Sequence, residues 1–242
     1  MSNSTRNQFN DLLRSEGLNA GIIPVNNIPN EESRLNEVNR LGILNRDLDQ
    51  EAQYNALTQL AAIITKSQIG LINILGSNIQ QCKTNFGFNV VESTLTEEMP
   101  REISICQYSL ASPQEPLIIN DLFLDERTKH FKKLEAYENL RFYAGSPLIS
   151  SKGFSIGTLC VIDDKPKKIE HDQIEGLRLL ADQVVNMLEQ EFNDNSNQNI
   201  DPEDISNVIE TNRITKYFST CLLYTSDAAD EGLGVDLGGR RI

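Results

Sequence analysis

The stretch RFYAGSPLISSKGFSIGTLCVID, residues 141–163, decides the fold of this chain. Both of its halves are rich in apolar and β-branched residues, and the SKG at residues 151–153 is typical of a hairpin turn. Residues 69–75, 79–86 and 117–119 are further β-rich segments. Short strands joined by such turns predict an antiparallel sheet.

Helical periodicity brackets the β-rich part of the chain. Apolar residues recur at intervals of three and four over residues 49–66 and 171–192, and a shorter helix is predicted over residues 33–44. Each long helix has one apolar side, which needs a surface to pack against. We therefore predict an α+β fold in which the two long helices pack together on one face of the sheet.

The second long helix carries apolar residues at heptad spacing. Leu177, Leu180, Val184 and Met187 follow one another at intervals of three and four residues. Two interpretations stay open, because the stripe can pack on its own sheet or form the seam of a parallel homodimer. Both can hold at once.

The segments on either side of this region differ from it in composition. Residues 1–32 are rich in Asn and Ser and are predicted to form a mostly disordered arm, with a short helix near residues 9–13. Residues 193–200 are predicted to be a polar linker. Asp201 and Pro202 are typical of a helix start, so residues 201–220 are predicted to begin a helix or a further domain.

The chain is poorly supplied with metal-binding side chains. Its four cysteines, Cys82, Cys106, Cys160 and Cys221, lie far apart in the sequence, and it has two histidines. No pair has the close spacing of a zinc or redox motif. We therefore expect no metal site and interpret the cysteines as buried free thiols.

Charge and hydropathy exclude several kinds of partner. The formal net charge of −13 repels nucleic-acid phosphates and anionic lipid surfaces, so neither is expected to bind. The longest apolar runs are far shorter than the roughly 20 residues that span a bilayer. The N-terminus is polar and does not resemble a secretory signal. These features favour a cytoplasmic protein.

Residues 141–148, Gly153 and residues 157–163 resemble a signature of bacterial GAF domains. Further positions agree with that family in order: residues 34–35, 41–44, 57–58 and 60–62, then Pro100, Arg101, Ser104, Cys106, Asp121, Asp125, Arg127 and Phe131, and finally residues 180–184. The resemblance covers residues 33–192. It implies a sensory domain that has no catalytic residues of its own and precedes an output domain such as a histidine kinase or a diguanylate cyclase.

The same resemblance implies a ligand pocket between the sheet and residues 103–122. Its expected lining is Ile74, Cys82, Cys106, Asp121, Arg141 and Tyr143. The planar guanidinium of Arg141 suits an anionic ligand, and it equally suits an ion pair with Asp121. No cofactor is identified, since residues 80–83 and Tyr108 depart from the family where its pockets are commonly lined. Small-molecule sensing and ligand-free relay through a dimer therefore both stay open.

Three more specific functions fit less well. Cys106 invites comparison with GAF-fold free methionine sulfoxide reductases, but residues 141–147 lack the cysteine that those enzymes supply there. Bilin photoreceptors usually pair such a cysteine with a neighbouring histidine, whereas Gln107 and Tyr108 follow Cys106. Residues 120–126 echo a cyclic-nucleotide pattern only superficially.

The C-terminal segment, residues 221–242, is interpreted as not belonging to the natural protein. Residues 221–242 resemble a translated sequencing adapter, and they carry a late cluster of glycines. We expect this tail to pack against nothing. The natural protein would then continue differently from about residue 220, into the output domain that is missing here.

Overall fold

The computed structural model describes residues 3–48, 51–87, 97–134 and 137–198. The helix start predicted over residues 201–220 and the adapter-like tail at residues 221–242 lie outside the described residues.

A six-stranded sheet forms the centre of the fold. The strands are β1 (Ile69–Leu75), β2 (Ile79–Phe86), β3 (Glu98–Pro100), β4 (Leu117–Ile119), β5 (Phe142–Ile149) and β6 (Ser155–Asp163). Their spatial order is β3-β2-β1-β6-β5-β4, and every neighbouring pair is antiparallel. The predicted antiparallel sheet is confirmed, and residues 141–163 form its β5–β6 hairpin.

Four α-helices accompany the sheet within the described residues. They are α1 (Asn3–Ala20), α2 (Glu31–Leu41), α3 (Ala52–Thr65) and α4 (His171–Gln198). Short 3₁₀ helices lie between these elements, at Ile43–Asn45, Arg101–Ile103, Cys106–Ala111 and Phe131–Lys133. The helices predicted over residues 33–44, 49–66 and 171–192 correspond to α2, α3 and α4.

The sheet separates two apolar cores. On one face, Ile72 and Ile74 of β1 pack in a cluster with residues of α2, α3 and α4, including Tyr54 and Leu177. Gly176 of α4 lies close enough to Ile64 of α3 for the two helices to touch. The prediction that these two helices pack together on one face is therefore confirmed.

The second core lies on the opposite face of the sheet. There Leu71 and Leu75 of β1 pack with Cys106, Leu110 and Phe131 from the 3₁₀ segments. Side chains of β1 alternate between the two cores because successive residues of a strand point to opposite faces. As a result β1 and β6, at the centre of the sheet, are buried on both sides.

The N-terminal residues contradict the sequence-based expectation. The prediction of a mostly disordered arm over residues 1–32 is wrong, because α1 occupies 18 residues of it. Leu13 and Ala20 pack against the second core, and Arg14 contacts Glu102 at 2.5 Å. A few apolar residues in an Asn- and Ser-rich helix suffice here because the second core needs a cover. Composition alone does not reveal that need.

The C-terminal boundary also differs from the prediction. The polar linker predicted over residues 193–200 is helical as far as Gln198, where α4 ends. Adding a residue to an existing helix costs much less free energy than nucleating a new helix. Residues with low helix propensity can therefore be helical where they directly follow a stable helix. The segment therefore continues α4 over six of these residues instead of behaving as a flexible linker from residue 193.

A buried arginine ties α2 to the ends of the central strands. The guanidinium of Arg34 donates to the carbonyl oxygens of Leu75 at 2.7 Å, Gly76 at 3.2 Å and Ser155 at 3.3 Å. It also pairs with Glu31 at 2.6 Å, and its side chain is 2% exposed. A planar fork with several donors can serve all these acceptors at once, which a lysine ammonium cannot.

We predict that Arg34→Lys destabilises the fold by at least about 2 kcal/mol, because it leaves buried carbonyl oxygens without donors. The matched control is Arg178→Lys on α4, where the exposed arginine pairs only with Glu175. That change is expected to shift stability by less than about 0.5 kcal/mol. Chemical denaturation measures both, and equal effects would contradict the assigned role of Arg34.

Candidate functional site

A buried polar cluster lies in the second core. We define it as Asn73 of β1, Tyr143 of β5, Thr158 and Cys160 of β6, and Cys106, which begins a 3₁₀ helix over the sheet. Each of these five residues is at most 3% exposed. Asn73 is paired directly with Thr158, which places both side chains on the same face of the sheet. Polar side chains from three adjacent strands thus meet one loop segment.

Hydrogen bonds connect the members of the cluster. The amide nitrogen of Asn73 donates to the sulfur of Cys106 at 3.5 Å and to the sulfur of Cys160 at 3.4 Å. The hydroxyl of Tyr143 donates to the Cys106 sulfur at 3.3 Å. Cys106 therefore accepts from several donors, an arrangement that suits a thiolate.

The two thiols titrate in opposite directions. Interaction with the Cys160 thiol, supported by Thr158, Tyr143 and Asn73, lowers the pKa of Cys106 to about 7 against the opposing effect of burial. The same interaction, together with burial, raises the pKa of Cys160. Burial and the nearby thiols raise the pKa of Tyr143 as well. Of the two sulfurs, Cys106 is therefore the one whose thiolate form the cluster favours.

Two oxygen atoms of the cluster have no good hydrogen bond. The side-chain oxygen of Asn73 has no partner, and the Thr158 hydroxyl lies beside Cys106 without acceptable hydrogen-bond geometry. A buried polar atom without a partner costs about 1–3 kcal/mol. Such atoms call for a specific explanation, such as a bound molecule or a chemical role.

The predicted pocket residues are only partly brought together. Cys106 and Tyr143 are in direct contact. The assignment of Ile74 is wrong, because it points into the opposite core with α3 and α4. Cys82 is half-buried and packs at the side of the second core. Asn73 was not predicted, although an asparagine inside the apolar run of residues 69–75 is a signal.

Arg141 and Asp121 lie at the edge of this region. The guanidinium donates to the two carboxylate oxygens at 3.0 and 2.7 Å and stacks over the ring of Phe123 at 4.5 Å. The amide of Phe123 donates to the same carboxylate at 3.0 Å. Of the two roles left open for Arg141, the structure shows the ion pair with Asp121.

The helix residues proposed for a dimer seam face their own sheet. Leu177 and Val184 are completely buried in the first core, and Leu180 and Met187 are partly buried against it. The seam as predicted is wrong for Leu177 and Val184, because their surfaces are already covered within the chain. The heptad spacing reflected the packing of α4 on the sheet.

The described part of the chain also has features outside the buried polar cluster that concern metals, membranes and surface clefts. No group of three or more His, Cys, Asp or Glu side chains among the described residues could hold a metal ion. No described helix is long and apolar enough to cross a membrane. An open cleft of about 410 Å³ lies between the end of α3 and the start of α4, lined mostly by polar residues such as Lys66 and Gln173.

Comparison with known proteins identifies the family of this domain. A model of the GAF domain family matches residues 49–188 of this chain. The chain belongs to the GAF domain family. The match covers α3, the whole described sheet and most of α4, so the buried polar cluster lies inside the GAF domain.

The match to an individual relative covers only part of that protein's length. A cyclic di-GMP phosphodiesterase of Pseudomonas aeruginosa is 29% identical over 137 residues, which are 57% of this chain and 22% of that protein. The chain therefore spans less than a quarter of the curated relative it matches.

Two solved structures have similar folds. The GAF domain of an Acinetobacter phosphoenolpyruvate-protein phosphotransferase has a TM-score of 0.49 and 13% identity, covering 69% of this chain and 98% of that one. A type II free methionine-R-sulfoxide reductase from Thermoplasma acidophilum has a TM-score of 0.47 and 14% identity, covering 57% and 92%.

The ion pair between Arg141 and Asp121 should make the stability of the fold depend on pH. Hydrogen bonds from Arg141 lower the pKa of Asp121 below its usual value. A carboxylate with a depressed folded-state pKa stabilises the fold above its unfolded pKa and loses that effect as pH falls through the folded value. Asp121→Asn should therefore be less stable than wild type at pH 7, and the difference should shrink below about pH 4.

Denaturation at a series of pH values measures this difference. Arg141→Gln should show the same pH dependence, and combining the two substitutions should add little. A difference that stays constant down to pH 3 would contradict the assigned pairing.

Proposed function

We propose that this GAF domain of a signalling protein binds a small molecule at the buried polar cluster and passes the signal through α4 to a further domain. The observation that supports this most directly is the pair of unsatisfied oxygens, on Asn73 and Thr158, beside the sulfur of Cys106. A fold selected only for stability gains nothing from such groups in its interior. A ligand with polar groups would give them partners.

The chemistry of the cluster limits the ligand. The free oxygen of Asn73 accepts hydrogen bonds, and the hydroxyl of Thr158 both donates and accepts them. The lining around them, including Leu71, Leu110 and Ile119, is apolar. A small ligand with a polar group on an apolar body fits this combination. Its entry would require the 3₁₀ segment Cys106–Ala111 to move away from the sheet.

The route of the signal follows from the packing of α4. Leu177, Ala181, Val184 and Leu188 all pack in the first core, directly behind the strands that carry the cluster. Near its far end, Glu191 accepts a hydrogen bond from Tyr54 of α3 at 2.8 Å. A shift of β1 or β6 on ligand binding would therefore reach α4 through this core. The helix continues to Gln198, toward the rest of a longer protein.

The identity of the output domain follows by analogy with relatives. One relative is a cyclic di-GMP phosphodiesterase, and this chain matches only 22% of its length. We infer that the natural protein carries an enzymatic output domain such as a histidine kinase, a diguanylate cyclase or a cyclic di-GMP phosphodiesterase. The GAF domain itself would act as the regulator, without catalysis of its own.

A thiol enzyme is the second candidate because of one observation. Sequence reasoning found no second cysteine near Cys106, but the fold brings Cys160 beside it. A dithiol of this kind could reduce a sulfoxide in the manner of free methionine sulfoxide reductases. Both sulfurs are buried, which favours regulation over turnover of a bulky substrate. A bilin is less well supported, since neither His130 nor His171 belongs to the cluster.

A homodimer would form through surfaces other than the predicted seam. Leu60 and Ile63 of α3 and Leu179 of α4 are 41%, 59% and 63% exposed. The two helices pack against each other, so their outer sides form one surface with exposed apolar side chains. Burying these side chains against a second copy would favour association, and a small patch predicts a weak dimer.

Ligand binding is tested by thermal shift against a panel of cyclic nucleotides and common metabolites. A ligand present at 100 times its dissociation constant stabilises the folded state by about 2.7 kcal/mol. We expect Asn73→Leu to abolish the response to any active compound. The matched control is Gln80→Met, which removes another buried amide with an unsatisfied oxygen outside the cluster. Loss of the response in the control alone would place the site elsewhere.

Dimerisation is tested by sedimentation velocity over a range of protein concentrations. Ile63→Glu with Leu179→Glu should shift the equilibrium toward monomer, because it places charges in an apolar interface. Leu124→Glu is the matched control, since that leucine is 78% exposed on a different part of the domain. A dimer that is unaffected by the double substitution would contradict this interface. Substituting Val184 would be uninformative, because the change would disrupt the core.

A further inference from the structure

The two thiols of the buried polar cluster come from distant parts of the chain. Cys106 begins the 3₁₀ helix Cys106–Ala111, and Cys160 lies in the middle of β6. A single nitrogen, the amide of Asn73, lies within 3.5 Å of both sulfurs. The thiols also lie close enough for each to shift the pKa of the other. Both cysteines are reduced in this structure.

We propose that Cys106 and Cys160 form a reversible disulfide when the protein meets hydrogen peroxide, which makes the cluster an oxidant-sensing site. This inference needs no bound ligand. It therefore stands or fails separately from the small-molecule sensing proposed above.

The surroundings assign different roles to the two sulfurs. Tyr143 and Asn73 donate hydrogen bonds to Cys106, which stabilises the thiolate that reacts with peroxide. Cys160 shares the Asn73 amide with Cys106, which places it where it can attack an oxidised Cys106. This pairing of a nucleophilic thiolate with a resolving thiol is typical of redox-sensing cysteines. Cys82, whose charge contributes to the raised pKa of Cys160, donates to the carbonyl oxygen of Thr84.

The reaction proceeds in two balanced steps. The thiolate of Cys106 attacks one oxygen of hydrogen peroxide, the O–O bond breaks, and a sulfenic acid forms while the departing hydroxide takes up a proton to become water. The sulfur of Cys160 then attacks the Cys106 sulfur, the S–O bond breaks, and the hydroxyl leaves as water with the proton of Cys160. Each sulfur is oxidised by one electron, and the two peroxide oxygens end as two water molecules.

Burial limits which oxidants can reach the site. Cys106 is 3% exposed and Cys160 is completely buried. Hydrogen peroxide is little larger than water and can enter during small fluctuations of the segment above the sheet. A peptide disulfide such as oxidised glutathione is too large to do so. We therefore expect selectivity for small peroxides.

The disulfide would also change the domain mechanically. A covalent bond brings the sulfurs to about 2.05 Å and links the segment Cys106–Ala111 directly to the central strand β6. Oxidation also removes the negative charge that Asn73 and Tyr143 stabilise. The oxidised domain should therefore hold this segment against the sheet more firmly than the reduced domain does.

The test uses the full chain with Cys221→Ser, so that the cysteine outside the described residues cannot react. The protein is treated with hydrogen peroxide, denatured, labelled with a maleimide and mapped by mass spectrometry. We expect a Cys106–Cys160 cross-linked peptide, restored to two labelled thiols by dithiothreitol. The Cys82→Ser variant should give the same cross-link. Oxidised glutathione at the same concentration should give none.

Variants separate the roles of the two cysteines. In Cys160→Ala, Cys106 has no resolving partner and should accumulate sulfinic acid, a gain of two oxygen atoms. In wild type, hydrogen exchange of residues 106–111 should slow on oxidation. A cross-link that involves Cys82, or sulfinic acid at Cys106 while Cys160 is present, would overturn the proposal. These readouts do not depend on any thermal shift with metabolites, so a failed ligand screen leaves them unaffected.

Discussion

The pairing of β1 with β6 is the constraint on which the rest of this structure depends. Asn73 lies opposite Thr158, and Leu71 lies opposite Cys160. A Cβ on Gly157 would lie 2.1 Å from the carbonyl oxygen of Asn73, so only glycine permits this close approach. Because both strands are buried on both faces, a slip of one residue would exchange the contents of the two cores.

This register explains why polar groups occupy the interior. It places the side chains of Asn73, Thr158 and Cys160 on the face that the 3₁₀ segment covers, while their neighbours along each strand pack against the helices. The helix face is apolar and holds α3 and α4 firmly. The opposite face combines apolar packing with a thiol of lowered pKa and unsatisfied oxygens. The domain thus has one face suited to stability and one suited to chemistry or binding.

Much of the fold could be predicted from the sequence, and less of the site. The sequence of residues 141–163 predicts a β-hairpin. The apolar stripes of α3 and α4 predict that both helices pack on one face of the sheet. The site depends on which strand residues share a face, which sequence spacing does not show for separate strands. Ile74 was therefore assigned to the wrong side of the sheet, and Cys160 was interpreted as inert. The length of helix α1 was underestimated, since only a short helix near residues 9–13 was predicted, because its stability comes from the core that it covers.

If the polar groups of the cluster serve binding or chemistry and not stability, removing one of them should not weaken the fold. The most direct test compares Thr158→Val with Thr128→Val, since both threonines are completely buried. The Thr128 hydroxyl donates to the carbonyl oxygen of Leu122 at 2.8 Å, so its loss should destabilise the fold by about 1 kcal/mol. Thr158→Val should leave the melting temperature unchanged or raise it, and an equal loss in both variants would contradict the claim.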